Sequence, residues 1–418
     1  MNNVPTAVDF DIAVVGGGIV GLTFARLLAA GLEQAGNPQR IVLLETHPPE
    51  TVAADADIDL RVSAIAPASQ AILQNIGVWD RLAATRVSPY ERMCVWQDEG
   101  AAGGAKSISF DAADFGVSWL GHIVENRAMR SAAWTQVEAA KSITLISGQQ
   151  PAALSEQSDH CCITLDDSST VRARLVVGAD SARSWVREQL GVSFSEVLYD
   201  QSAIVAHIAS ERPHAATAWQ RFLPGGPVAL LPLADGRSSL VWSCLNAQAK
   251  ELMEMDVADF NVRLTAALDH VLGPLECTSA RASFPLGTGH ADYYTGRRFA
   301  LIGDAAHRIH PLAGQGVNLG LLDAAVLAEQ LIEHLARTAA DPGDPLVLRR
   351  YERMRKGDNM LTVGTMDAIN RLFWGPVRGL GGLGLGAVDK LPLIKARFAE
   401  YAMGRGRSLP AAARQKSD

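Results

Sequence analysis

The sequence predicts a mixed α/β (α+β) fold. Its parts are a Rossmann-like domain built on a parallel sheet, an inserted and mainly antiparallel β domain, and a helical C-terminal segment. Three observations predict it. Short apolar runs end in an acid three times, at Glu45, Asp180 and Asp304. A glycine-spaced turn leads from strand into helix twice, at Gly16–Gly21 and at Gly314–Gly316. Between Ser202 and Phe284 the texture changes to short strands broken by Pro224-Gly225-Gly226-Pro227 and Asp235-Gly236.

Composition bounds the rest. A chain of 418 residues can bury a sizeable core and hold two domains. Hydrophobic content of 48% with 20% charged residues fits a soluble globular protein. A net charge of -7 argues against a nucleic-acid surface. Cys94, Cys161, Cys162, Cys244 and Cys277 form no CxxC pair and no zinc spacing, so no metal site is expected. Met1 to Phe10 shows no secretory signal, which makes a reducing cytoplasm the expected compartment. No uncharged apolar run reaches the length of a membrane span.

Phe10–Val15 (FDIAVV) reads as a buried strand running straight into GGGIVG, Gly16–Gly21. A helix follows from about Leu22 to about Leu32, and a second strand, Ile41–Leu44, ends in Glu45. In that pattern Gly16 permits the tight turn, Gly18 lets a pyrophosphate approach, and Gly21 lets helix and strand pack closely. Glu45 is placed to accept ribose hydroxyls and to repel a 2′-phosphate, which favours FAD or NAD over NADP at this site. Arg61 follows the acidic stretch Asp55–Leu60 and by itself reads as a solvated loop residue.

Ala68–Ile76 reads as a helix, and Val87–Trp96 and Ser107–Phe110 as strands around a Gly/Ala-rich hairpin. Trp119–Val124 reads as another strand, leading into a helix from about Asn126 to about Ala140. Ile143–Ile146, Cys162–Leu165 and Val171–Arg174 look like a small antiparallel set. Leu175–Gly178 looks like a separate buried strand that ends at Asp180, an acid that fits a ligand site or the N-cap of the next helix. Three strand-end acids suggest one parallel sheet with its loops on a common edge, where α/β sheets bind ligands.

In the insert, Ile204–Ile208, Ala218–Leu223, Val228–Leu231 and Ser239–Ser243 read as strands and Val257–Leu268 as a helix. Arg281–Leu286 (RASFPL) returns to the first domain. Phe284, Pro285 and Leu286 are candidates for a wall facing the cofactor, and plain core packing fits them equally. The expected division is 1–85, 126–195 and 287–345 for the cofactor domain, 86–125 and 196–286 for the substrate domain, and 346–418 for a helical region. Trp374–Phe398 is apolar, glycine-rich and dotted with basic residues. It could cover the core, bind a partner or lie at a membrane interface.

The last strand–loop–helix, Arg298–Asp323 (RFALIGDAAHRIHPLAGQGVNLGLLD), carries the most chemistry. Phe299–Ile302 is a strand, Gly303-Asp304 its end, and Val317 begins helical apolar spacing. Gly314 and Gly316 remove side chains where the helix starts, and its first amides suit a phosphate or an anionic ring system. An ordinary buried strand–turn–helix with capping glycines fits the same residues. His307 and His310 read best as satisfied core histidines.

Taken together, GGGIVG with Glu45, VVGADSARS, and GDAAHRIHPLAGQGVNLGLLD resemble, in order and spacing, the FAD-dependent class A aromatic monooxygenases of the p-hydroxybenzoate hydroxylase-like fold. HPLAGQGVNLGLLD (His310–Asp323), GHIVENR (Gly121–Arg127), DLRVSAIAPAS (Asp59–Ser69) and RASFPL are similar to the ubiquinone-biosynthesis hydroxylases within that family.

The resemblance implies that Gly16, Gly18, Gly21 and Glu45 hold the ADP half of FAD. Arg61 and either Asn126 or Arg127 would touch its ribityl-pyrophosphate region, with Gly303 and Asp304 at the ribityl or pyrophosphate. Gly314, Gln315, Gly316, Val317 and Asn318 would present backbone amides to the flavin ring, with Pro311 in that environment and His310 beside the substrate. Asp180 would serve both FAD and the reduced nicotinamide donor, although the family has Asp-Gly where this chain has Asp180-Ser181.

The reaction implied is hydroxylation of a polyprenylated phenol or quinol. NADH or NADPH reduces FAD, and O₂ forms a C4a-hydroperoxyflavin that the ring carbon attacks. No general base is assigned. The C5 enzyme is favoured slightly over the C1 and C6 enzymes by the tail Leu391–Gly404. The partners implied are the prenylated substrate, O₂, the inner face of a membrane met peripherally, and a ubiquinone-biosynthesis complex. The readings to exclude are a same-fold enzyme acting on a small soluble aromatic, a non-catalytic FAD-binding scaffold subunit of such a complex, and a flavin reductase or halogenase.

Overall fold

The computed structural model describes residues 9–53, 56–97, 100–309, 316–337, 340–374 and 409–414. The chain begins with β1 (Phe10–Val15), α1 (Ile19–Gln34) and β2 (Ile41–Glu45), in which β1 and β2 lie parallel with Val14 opposite Leu43. It continues through β3 (Val62–Ile65), α2 (Pro67–Asn75), β4 (Val87–Tyr90), β5 (Arg92–Gln97), β6 (Ser107–Asp111), β7 (Gly121–Glu125) and α3 (Asn126–Glu138). Then come β8 (Ile143–Ser147), β9 (Pro151–Glu156), β10 (Cys161–Leu165), β11 (Thr170–Gly178) and α4 (Trp185–Gln189).

The insert supplies β12 (Phe194–Ser210), β13 (Thr217–Leu223), β14 (Gly226–Pro232), β15 (Ser238–Leu245), α5 (Asn246–Glu254), α6 (Val257–Ala267), β16 (Leu275–Cys277) and β17 (Ala282–Ala291). The return is β18 (Thr295–Gly296), β19 (Phe299–Leu301), β20 (His307–Arg308), α7 (Gly316–Leu335) and α8 (Pro345–Trp374).

One sheet runs in the order β18-β19-β11-β1-β2-β8, with β9 and β10 continuing from the first half of β11. Strands β19, β11, β1, β2 and β8 are parallel, as expected of short apolar runs joined by helical crossovers. A second sheet runs β20-β17-β12-β15-β14-β13-β5-β6, with β16 paired to β12. A third sheet is β3-β7-β4, with β5 and β6 of the second sheet inserted between β4 and β7 in the chain.

The large core forms around the parallel sheet, where α1 and α7 bury Leu28, Leu321 and Leu331 against Val14 and Val177. The smaller core sits where α5 and α6 cover one face of the second sheet with Leu252, Phe260 and Leu264 over Trp242 and Ile204. Each fully buried aliphatic side chain of this kind contributes about 1.5–3 kcal/mol.

Several local expectations need correction. Ile143–Ser147 is not part of an antiparallel set. It follows helix α3, so the crossover places it parallel to β2. Val171–Arg174 and Leu175–Gly178 are one strand, whose first half pairs with β10 and whose second half enters the parallel sheet. Val87–Trp96 is two strands in two sheets, broken at Glu91, because β4 pairs with β7 while β5 pairs with β13 and β6. Alternation alone cannot tell which sheet takes each half. β17 runs on to Ala291, so the expected domain division after residue 286 falls inside a strand. The tail from Trp374 to Phe398 lies, after its first residue, outside the described residues, as do Leu391–Gly404.

Candidate cofactor site and active site

The three strand-end acids meet on one edge. Glu45 closes β2, Asp180 lies just past β11, and Asp304 lies just past β19, all at the carboxyl ends of parallel strands. At the first turn, Gly16 has φ +110°, and a side chain there would sit 2.3 Å from the carbonyl oxygen of Ala179. Glu45 accepts from the backbone N–H of Gly17 at 2.6 Å and of His47 at 2.8 Å. A carboxylate has about four acceptor positions, so room remains for a ribose.

Arg130, one turn into α3, was not foreseen. It donates to the Gly17 carbonyl at 2.8 Å and to the His47 carbonyl at 2.5 Å, and it lies 3.4 Å from Glu45 Oε2. It thereby ties the glycine turn to the end of β2. Its spacing from Asn126 in ENRAMR was the available signal.

Asp180 is part-buried and doubly engaged. Its carboxylate accepts from the Ser184 hydroxyl at 2.5 Å and from the Val186 N–H at 2.9 Å. Burial raises its pKa, and those two bonds pull the other way. The N-cap of α4 is Ser184 rather than Asp180, and Asp180 braces it. Ser181 has φ +76°, the left-handed conformation that glycine adopts freely. Ser181→Gly is expected to stabilise the fold by about 0.5–1 kcal/mol, read as a higher urea midpoint with an unchanged slope.

Asp304 contrasts with its two counterparts. Its carboxylate is open to solvent on one side and has no hydrogen-bond partner among the described residues. The surrounding protein still displaces enough water to raise its pKa, against the opposing charges of His307, Arg308 and Arg61. The backbone ahead of it is fixed, since the Gly303 N–H donates to Asp323 at 3.1 Å.

Gly316 starts α7, and the amides of a first helical turn have no partner within the helix. Val317 packs against the core. The Asn318 side chain is consumed structurally: it accepts from the Ala66 N–H at 3.0 Å and donates to the Ala64 carbonyl at 2.8 Å. Only its backbone remains for a ligand. His310, Pro311, Gly314 and Gln315 lie outside the described residues.

Arg61 is exposed, and its guanidinium sits 5.9 Å from the ring centre of Phe284, so the β3 approach and the second sheet face each other here. Phe284 is 40% exposed and Pro285 is exposed, whereas Leu286 is buried. Arg308 pins this segment by donating to the Pro285 carbonyl at 2.9 Å and pairing with Glu196 at 2.9 Å.

Asn126 accepts from the Ser63 hydroxyl at 2.7 Å. Arg127 bonds Glu125 at 2.7 Å and the Asp57 carbonyl at 2.8 Å. Glu125 is fully buried and also pairs with Arg86 at 2.6 Å, which itself grips the carbonyls of Ala53, Ala56 and Asp57. The segment leading to Arg61 is therefore held by two arginines sharing one carboxylate.

His307 is a satisfied core histidine, bonded to Asp323 at 2.5 Å. Asp323 also takes Arg355 at 2.7 Å and Asn359 at 3.1 Å. The cluster joins α7 and α8 beneath the Gly303-Asp304 corner. Among the described residues no group of side chains could hold a metal ion, no helix is long and apolar enough to cross a membrane, and all five cysteines are free.

The glycine turn fits a dinucleotide. A side chain at Gly18 would meet nothing within 4 Å, so space is open at the one glycine whose backbone a pyrophosphate must approach.

The model of the FAD binding domain family matches residues 9–359. Ubiquinone hydroxylase UbiL of Rhodospirillum rubrum is 39% identical over 94% of this chain and 89% of its own length. The 3-demethoxyubiquinol 3-hydroxylase of Escherichia coli is 37% identical over 97% of this chain and 100% of its own. The solved structure of p-nitrophenol 4-monooxygenase PnpA from Pseudomonas putida DLL-E4 superposes with a TM-score of 0.73 at 20% identity, covering 96% of this chain and 99% of that one. That likeness establishes the p-hydroxybenzoate hydroxylase-like fold. The chain belongs to the FAD binding domain family and, within it, to the ubiquinone-biosynthesis hydroxylases.

Proposed function

We propose that this protein hydroxylates the aromatic ring of a polyprenylated phenol or quinol in ubiquinone biosynthesis, with FAD as cofactor, NADH or NADPH as reductant and O₂ as oxygen source. The single observation that carries the reading is Asp304. It is an unpartnered acid at the corner between parallel sheet and α7, with the charge of Arg61 acting on it, in a chain of this family. Reduced FAD activates O₂ for transfer of one oxygen atom to the ring.

The chain's own residues bind and orient. Gly16–Gly21 and Glu45 hold the adenosine and pyrophosphate, with Asp180 near them. Asp304 accepts from a ribityl hydroxyl, and Arg61 adds positive charge beside it, with Asn126 and Arg127 steadying that approach. The first amides of α7, from Gly316 to Asn318, stabilise negative charge on the ring system, as do their neighbours Gly314 and Gln315. Phe284 and Pro285 form the wall across the crevice and exclude water from the reacting face. The two sheets are the cofactor and substrate domains respectively. The prenylated substrate implies work at a membrane surface on the cytoplasmic side or within a biosynthetic complex.

Lipid quinone analysis of a deletion strain tests this. The ubiquinone pool is expected to fall and one prenylphenol to accumulate, its missing hydroxyl naming the carbon. An Asp304→Ala protein is expected to purify without FAD and to leave the defect unrepaired. An unchanged pool in a strain with no second such hydroxylase would overturn the proposal in favour of a soluble aromatic substrate. Full repair by a protein shown to hold no FAD would turn it into a scaffold.

A further inference from the structure

The second sheet has two faces. One is the core under α5 and α6, which takes Trp96, Leu230, Trp242 and Ile204. Residues one position along point the other way. Across the middle of that opposite face runs a single row in register, with Val95 opposite Gln220, Gln220 opposite Ala229, Ala229 opposite Val241, and Val241 opposite Val205. Directly paired residues share a face, so these five side chains form one stripe.

Two features show that the stripe is not sealed by packing and leads towards the cofactor corner. Val205 and Val241 sit on central strands and yet are only partly buried. Ala203, two residues from Val205 on the same face, pairs with Phe284, whose ring lies under Arg61. Arg61 in turn lowers the pKa of Asp304 by its charge. The Val205 end of the stripe therefore borders the corner assigned to the cofactor, and the row runs from there across two further strands to Gln220.

Within the stripe Gln220 is the one polar side chain. It is 9% exposed, and its carboxamide has no hydrogen-bond partner among the described residues. Its four row-mates are apolar. A ligand would complete the amide.

We infer that Gln220 recognises the substrate, by a hydrogen bond between its carboxamide and a hydroxyl on the aromatic ring, and so fixes which edge of the ring faces the cofactor. This rests on the phenol or quinol reading given above. The carboxamide both donates and accepts, so it serves a phenol hydroxyl or its anion. The valines and Ala229 leave a smooth apolar surface for the ring itself.

The test uses FAD-loaded enzyme and two probes, 2-farnesylphenol and its methyl ether 2-farnesylanisole, with binding read from the flavin difference spectrum. The wild-type protein is expected to bind the phenol about tenfold more tightly than the ether. Gln220→Leu is expected to bind the two within about twofold of each other, with FAD occupancy and melting temperature unchanged. Gln220→Met, which keeps the length and flexibility of the side chain, serves if the leucine protein loses FAD. A tenfold preference that survives in both variants overturns the role of Gln220, as does a wild-type protein that binds phenol and ether equally. A wild-type protein that binds neither probe overturns the polyprenylated-phenol reading as well.

Discussion

Replacing Asp323 with alanine is expected to destabilise the fold by about 3–5 kcal/mol, the usual cost of removing one partner of a buried ion pair. A domain has about 5–15 kcal/mol in total. Asp323 is fully buried, and its two oxygens collect four donors: His307 and Gly303 on one, Arg355 and Asn359 on the other. Alanine would take the buried carboxylate from the Arg355 guanidinium, which is 5% exposed and would keep only Asp358 at 3.3 Å and Asn359 at 2.8 Å, and would release the Gly303-Asp304 corner. Loss of FAD affinity is therefore expected alongside a lower urea midpoint.

The double variant Asp323→Asn with Arg355→Met removes both charges and should recover much of the loss. If it is no more stable than Asp323→Ala, the penalty lies in the hydrogen bonds rather than in the orphaned cation. The pH dependence has a definite sign. Burial alone would raise the Asp323 pKa, but the His307 and Arg355 charges beside it hold it down to about 2. A depressed folded-state pKa means stability that is present above the ordinary value of 3.8 and lost as the pH falls from there towards about 2.

Much of the frame could be read from local pattern, and the Asp323 cluster shows why the rest could not. Strand, glycine turn, helix and terminal acid are neighbours in sequence, so β1, α1, β2 and Glu45 announce themselves. Asp323 looks like one polar position on an apolar helix. Its partners stand 16, 20, 32 and 36 residues away, on elements whose packing no spacing rule predicts. Glu125 and Arg86 are 39 apart and equally silent. The same limit explains Val87–Trp96, where each half alternates correctly but the partner strands lie far along the chain. Asn318 adds a role that its motif does not announce, since its side chain holds β3 to α7 while its backbone is the part expected to meet the ligand.

The glycine turn offers a second large effect, because its four glycines differ in what a methyl group would meet. At Gly21 an added side chain would lie 2.1 Å from the Gly16 carbonyl oxygen, a backbone atom that cannot swing aside. Gly21→Ala is expected to destabilise the fold by about 3 kcal/mol or more and to abolish FAD binding through the distorted turn. At Gly18 the same methyl group meets only open space, so Gly18→Ala should melt within about 0.5 kcal/mol of the unaltered apoprotein. Its effect should fall on the ligand alone, with the FAD dissociation constant raised about tenfold or more. Titration of apoprotein with FAD, followed by flavin fluorescence, separates the two variants. A Gly18→Ala protein that binds FAD as tightly as the original would show that the pyrophosphate does not rest on this backbone, and the ADP site would have to be placed elsewhere along the sheet edge.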